Sequence, residues 1–270
     1  MNIYKRSIGS IDRKSFQNRV LDPFVDDVST LGNRLEETRP FTDSRYPARR
    51  LLDVFISVIA LVLLSPVLAI AAVLIKLESR GPVFYKQERI GLNRRTGDRR
   101  TSSRVSAENM RNDRRTGRDR RRKSEAGKPF TMYKLRTMKT DAEKNGPVLA
   151  SRNDDRITRV GRILRKTRID EMPQFLNVIR GDMTLIGPRP ERSFYIRALS
   201  KDVPQFPLRL KTKPGITGLA QVESGYADTF EAMKTKLIFD LQYILKKSVL
   251  VDLAIIIKTF YVIISGRGAQ

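Results

Sequence analysis

The sequence predicts an α/β fold, a compact and mostly helical membrane-associated domain with small strands, one long membrane helix and amphipathic helices lying in the interface. Three observations predict it. Leu51 to Ile75 is an almost uninterrupted apolar run of about 25 residues, enough to cross a hydrocarbon core of about 30 Å. Between Pro129 and Met183, a strand-like run is followed by helical periodicity broken by Gly and Pro. Near the C-terminus, VLVDLAIIIKTFYVII (Val249 to Ile264) is apolar but only about 16 residues long, short for a crossing.

Composition narrows the chemistry before any motif is read. The 270 residues carry 53 Lys and Arg against 29 Asp and Glu, a formal charge of +24. A polyanionic partner follows: nucleic acid, an anionic lipid surface or phosphorylated substrates. The chain has no Cys, His or Trp, which excludes thiolate nucleophiles, Cys/His zinc sites and imidazole bases. If catalysis takes place here, carboxylates carry it.

Residues 1–48 are polar and lack sustained periodicity, so a loosely packed N-terminal extension is expected, and the first apolar run comes too late for a secretory signal. The membrane helix occupies 49–80. Pro66 lies in its middle, where it removes a backbone donor, and Ser65 is placed to satisfy the freed carbonyl. Basic residues flank both ends (Arg45, Arg49 and Arg50; Lys76 and Arg80), so charge does not assign the two ends to opposite sides. An ordinary spanning helix and a kinked helix that enters and leaves on one face both fit.

A domain over 81–270 follows, opening with a Gly81-Pro82 turn and a strand up to Gly91. It is interrupted at 93–128 by an insertion with a dozen arginines, in which RRTG occurs at Arg94 and again at Arg114. PFTMYKLRTM (Pro129 to Met138) reads as a strand. Asp154 to Met183 reads as a basic helix, a break and a second helix, Thr184 to Glu191 as a turn-rich loop, and Lys213 to Gly218 as a fixed loop. Val249 to Ile264 suits an amphipathic helix in the interface, with a buried core helix as the alternative.

Asp170 and Glu171 stand together just after Arg162, Arg165, Lys166 and Arg168. Cations neutralise the oxygens of a diphosphate, while a carboxylate can hold Mg²⁺ or attack phosphorus. An isolated Asp-Glu pair is usually a solvated turn. Here Pro173 stiffens the backbone, and two rigid loops, Gly187-Pro188-Arg189-Pro190 and Lys213-Pro214-Gly215, each present a cation.

The stretches ESRGPVFYKQERIG, PFTMYKLRTM, DDRITRVGRILRKTRIDEMPQFLNVIRGDMTLIGPRPE and KPGITGLAQV, taken in this order, resemble the bacterial sugar transferase family, the monotopic polyprenyl-phosphate phosphoglycosyltransferases. The resemblance runs from about Arg49 to the C-terminus. It implies a re-entrant membrane helix broken at Ser65-Pro66 and an active site at the cytoplasmic face of the bacterial inner membrane. It further implies that Asp170 attacks the β-phosphate of a UDP-sugar, releasing UMP, and that undecaprenyl phosphate then takes the phospho-sugar from the carboxylate, as the first membrane step of exopolysaccharide assembly. Under it, Asp170 and Glu171 form the catalytic dyad and the Mg²⁺ site, with Glu171 positioning Mg²⁺ or the lipid phosphate. Lys134, Arg165 and Arg189 match positions expected to bind phosphates, and Lys213 is added from its loop. Asp240 and Tyr243 in FDLQYI resemble a further signature, whose role the resemblance does not give.

The insertion departs from the family pattern. One reading is a solvated loop drawn to anionic lipids. The other is a cyclic di-GMP site, in which Arg94, Arg95, Arg99, Arg114, Arg115 and Arg118 stack on guanines while Asp98 and Asp119 accept from their edges. Nucleic-acid binding and an inactive membrane-surface scaffold are the competing classes; nucleic acid is disfavoured because the arginine tract lacks interleaved aromatics. Partners are therefore the UDP-sugar, polyprenyl phosphate and membrane lipids, with a homodimer as the expected oligomer. No Gly-rich strand-to-helix turn of the Rossmann type occurs.

Overall fold

The computed structural model describes residues 27–36, 38, 40–41, 46–93, 127–142, 154–224 and 230–265. The apolar run folds as helix α2 (Pro47–Glu78), preceded by α1 (Val28–Glu36). With 32 residues, α2 is about 48 Å long at 1.5 Å per residue. It starts on Pro47, whose missing N–H costs nothing in a first turn. Pro66 leaves Val62 O without its helical donor, and Ser65 Oγ supplies one at 2.8 Å, so the helix continues through the proline. Among the described residues α2 is the helix long and apolar enough to cross a membrane, and its middle, including Val62, Leu63 and Ile70, is exposed.

The two ends of α2 dock on the domain through polar groups. Near its start, Arg50 donates to Val178 O at 2.5 Å and Ile179 O at 2.8 Å. Asp53 accepts from Thr184 Oγ1 at 2.5 Å. At its end, the Glu78 carboxylate accepts from the backbone N–H groups of Arg159 (2.6 Å) and Val160 (3.0 Å), closing the N-terminus of α3 (Arg159–Lys166). Buried Arg136 donates to the carbonyls of Ser79 (2.8 Å) and Arg80 (2.6 Å).

Strands β1 (Phe84–Ile90) and β2 (Pro129–Leu135) pair antiparallel, from Phe84 opposite Leu135 to Ile90 opposite Pro129. The insertion is thus the connection of a hairpin. After α3 come a 3-10 turn (Ile169–Gln174), α4 (Phe175–Arg180), β3 (Thr184–Ile186), α5 (Ser193–Asp202), a second 3-10 turn (Phe206–Lys211), β4 (Gly215–Thr217), α6 (Leu219–Glu223), α7 (Phe230–Lys246) and α8 (Val249–Ser265). The architecture is mostly helical with small strands, as the sequence predicts.

Two expectations are corrected. The segments read as loops at Thr184 and Lys213 contain β3 and β4, which pair in parallel. Three-residue strands carry no periodicity to read; what fixes them is close backbone approach, for a Cβ on Gly215 would lie 2.1 Å from the Gly187 nitrogen. Residues 28–36, expected within a loosely packed extension, form α1, whose Leu31 and Leu35 are buried in the main core with Leu237, Leu241 and Ile244 of α7. Two leucines one turn apart are too short a pattern to stand out in a polar segment.

Helix α8 buries Val251 and Ile255, while Leu250, Leu253, Ile257, Phe260 and Ile264 face outward. Its two charges turn inward instead: Asp252 pairs with Arg49, and Lys258 with Glu223. An apolar outer face with inward charges suits a helix lying against lipid. Buried Tyr243 joins the same network, accepting from Arg49 Nη2 at 2.7 Å and lying 2.9 Å from Ile186 O.

If α1 belongs to the core, Leu35→Ala lowers the unfolding free energy by about 2–5 kcal/mol. Asn33→Ala on the exposed face of α1 stays within about 0.5 kcal/mol. Denaturant unfolding of the detergent-solubilised protein measures both.

Candidate active site

The basic helix ends in a tight reversal that sets the acidic pair. Thr158 Oγ1 caps the start of α3, accepting from Gly161 N at 3.0 Å. The helix ends at Thr167, and Arg168 takes the left-handed conformation at φ 60°, the one non-Gly residue with positive φ among the described residues. The 3-10 turn begins at the next residue and buries both Asp170 and Glu171. Asn177 in α4 fastens this unit to β2: its Oδ1 accepts from Tyr133 N at 3.1 Å and its Nδ2 donates to Thr131 O at 2.6 Å.

With β2 fixed in register, Lys134 reaches Glu171. Its Nζ donates to Glu171 Oε1 at 2.9 Å, and Arg189, from the loop after β3, donates to the same oxygen at 2.6 Å and to Oε2 at 3.4 Å. Burial alone would push the Glu171 carboxyl up; Arg189 and Lys134 override it and hold Glu171 well below the usual carboxylate range. Arg189 is raised in return by Glu171, and burial lowers Lys134.

Asp170 differs from its neighbour. It takes no direct ion pair among the described residues. Burial, reinforced by the charge of Glu171, raises its carboxyl to about 6, against the more distant pull of Lys134, Arg165 and Arg189. Arg165 is anchored by its Nε, which donates to Thr137 Oγ1 at 2.9 Å, and burial lowers it while Asp170 opposes that shift. The turn thus presents one carboxylate neutralised by two cations and one left basic and uncommitted.

The structure brings Asp170, Glu171, Lys134, Arg165 and Arg189 together. Lys213 lies elsewhere: it is buried, with its Nζ beside Gly181 and near Arg50, at the far end of α4. Arg94, Arg95, Asp98, Arg99, Arg114, Arg115, Arg118 and Asp119 fall outside the described residues. Asp240 is buried against Arg209 at 2.7 Å, below the Arg189 loop. The supports Asn177, Glu78 and Arg136 escape a reading of the sequence. Asp53 left a signal, as a lone acid in an apolar run, where a charge is expected to face protein.

A divalent metal fits the dyad in one way. Among the described residues no group of three or more acidic side chains converges, and the Glu171 oxygens are occupied by Lys134 and Arg189. Mg²⁺ commonly binds through one or two carboxylates and otherwise takes its oxygens from water and substrate phosphates. Asp170 can be such a ligand; Glu171 would first have to release its cations.

Residues 44–99 and 107–266 match the family described as bacterial sugar transferase. The chain is similar to the UDP-N-acetylgalactosamine-undecaprenyl-phosphate N-acetylgalactosaminephosphotransferase of Aeromonas hydrophila, 37% identical over 222 residues, 82% of this chain and 45% of that protein. It is 38% identical over 213 residues to the UDP-glucose:undecaprenyl-phosphate glucose-1-phosphate transferase of Caulobacter vibrioides, 78% of this chain and 67% of the relative. An exopolysaccharide production protein of Rhizobium leguminosarum bv. phaseoli is 35% identical over 218 residues, 78% of this chain and 92% of its own length. The chain spans about half the length of the first of these relatives.

Glu171→Gln removes the charge that helps to raise Asp170 and frees two cations beside it. The Asp170 carboxyl then titrates below about 6. Carbodiimide coupling, which consumes the protonated acid, read at Asp170 by mass spectrometry across pH, should show its midpoint moving to lower pH.

Proposed function

The chain belongs to the bacterial sugar transferase family, and we propose that it transfers the phospho-sugar of a UDP-sugar to undecaprenyl phosphate as the first membrane step of exopolysaccharide synthesis. The names of the relatives from Aeromonas, Caulobacter and Rhizobium support the substrates and the pathway class. The observation that carries the reading is Asp170: a buried carboxylate without a direct ion pair among the described residues, raised to about 6, in the field of Lys134, Arg165 and Arg189.

In this reading an Asp170 oxygen attacks the β-phosphorus of the UDP-sugar. The bond between that phosphorus and the bridging oxygen breaks, and UMP leaves with the electron pair. An oxygen of the lipid phosphate then attacks the same phosphorus, the carboxylate departs as a free anion, and a polyprenyl diphosphate sugar results. Covalent catalysis lets UMP leave before the lipid enters. Lys134, Arg165 and Arg189 neutralise the phosphate oxygens, Arg189 with two nitrogens at once. Mg²⁺, when bound with the diphosphate, would supply further neutralisation of the leaving group.

The same reading makes α2 re-entrant. Its support is that both ends of the helix dock on one domain while much of its middle, including Val62, Leu63 and Ile70, is exposed. Both ends then lie at the cytoplasmic face, where the lipid-linked acceptor is met in two dimensions. Binding of cyclic di-GMP at the insertion rests on its arginines and aspartates alone.

Asp170→Asn, which keeps the shape but not the nucleophile, should lower UMP release by about 10³-fold or more. In the wild type, kcat/KM for the UDP-sugar should rise with pH through about 6, since attack requires the ionised carboxyl. A folded wild-type enzyme silent across a broad panel of UDP-sugars would remove the reading. For the topology, single cysteines replacing Tyr46 and Ser79 in this cysteine-free chain should both react with an impermeant maleimide from the cytoplasmic side; labelling from opposite sides would establish a spanning helix.

A further inference from the structure

Arg189 grips Glu171 from a loop only a few residues long, so something must hold the loop. Two consecutive carbonyls on it are each taken by a guanidinium. Arg209 Nη2 donates to Arg189 O at 3.0 Å, and Arg89 Nη1 donates to Pro190 O at 3.0 Å. Arg209 lies in the second 3-10 turn, buried, with its guanidinium carbon 4.9 Å over the Phe206 ring. Its Nη2 lies 2.7 Å from Asp240 Oδ2 in α7, and its Nη1 3.6 Å from Glu191 Oε1.

We propose that Arg209, held in place by Asp240, is a positioning residue that sets Arg189 to receive the diphosphate of the donor. The inference rests on the proposed transfer reaction, but the contacts of Arg209 are to Arg189 O, Asp240 and Glu191 rather than to the dyad. Stability alone explains the pair poorly. A buried ion pair is often no better than well-packed apolar side chains, and both partners here are buried, with Arg209 Nη2 2.7 Å from Asp240 Oδ2. Burial raises Asp240 to about 6, a cost that the fold carries. What the pair does accomplish is to leave one N–H of Arg209 aimed at the Arg189 carbonyl.

A double-mutant cycle tests this on the full chain in detergent, with inorganic pyrophosphate and Mg²⁺ as the probe and calorimetry as the readout. Asp240→Asn should weaken pyrophosphate binding by about ten-fold in the wild-type background and by less than about two-fold when Arg189 is already alanine. KM for the UDP-sugar should rise by a similar factor with a smaller change in kcat. Equal weakening in both backgrounds, no weakening in the wild-type background, or no pyrophosphate binding by the wild type would each overturn the proposal. If Asp240→Asn does not fold, Arg209→Lys takes its place, keeping the charge opposite Asp240 but giving up the fork, and the same outcomes decide. A wild type that binds pyrophosphate in this pattern yet releases no UMP would remove the proposed reaction and leave the positioning role standing.

Discussion

A buried carboxylate either finds positive charge or takes up a proton, and Glu171 resolves this by standing between Lys134 and Arg189. The two cations come from different parts of the fold, β2 and the loop after β3, so each sheet must be in register for the contact to form. A slip of one residue in β2 would turn Lys134 to the other face. The Asn177 side chain guards against it by bonding the backbone of β2 on both sides of Met132. The glycines at 187 and 215 serve the second sheet, letting β3 and β4 approach more closely than any side chain permits.

The long apolar helix α2 is part of this construction. Three charged residues near its ends meet the domain: Arg50 covers the last carbonyls of α4, Asp53 holds β3, and Glu78 caps α3. These are the elements that carry Arg189 and the acidic pair. The side chains that join the long apolar helix to the domain are therefore also those that brace the site, and α8 repeats the pattern with Asp252 and Lys258 turned inward. Charges in apolar helices are expensive unless paired, which is why they mark where the helix meets protein.

Much of this is legible in the sequence, for reasons that can be named. The apolar run, the Ser65-Pro66 compensation and the strand at Pro129 follow from length, proline chemistry and composition. The carboxylate pair and its cations follow from charge density and stiff loops. Lys213 shows the limit of that argument: it shares the Pro-Gly context of Arg189, yet the parallel pairing of β3 with β4 carries it to the far end of α4. Likewise α1 and the supports Asn177 and Arg136 depend on contacts between distant segments, which no local pattern encodes. The resemblance to a family supplied the roles of the dyad; the residues alone supplied only the chemistry that such roles require.

Adjacent carboxylates of the same kind end with opposite characters because their neighbours differ. Nucleophilicity rises with basicity, and Glu171, with its oxygens committed to Lys134 and Arg189, has little of either left. Asp170, at about 6, is ionised by about ten to one at pH 7 and keeps a more basic lone pair than an ordinary aspartate. It therefore suits attack on phosphorus at neutral pH. Glu171 suits a different task, since the cations that it neutralises are those an arriving diphosphate would compete for. In the proposed reaction Glu171 keeps Lys134 and Arg189 gathered and oriented before the donor binds, and its charge, one residue away, adds to the burial that keeps Asp170 basic.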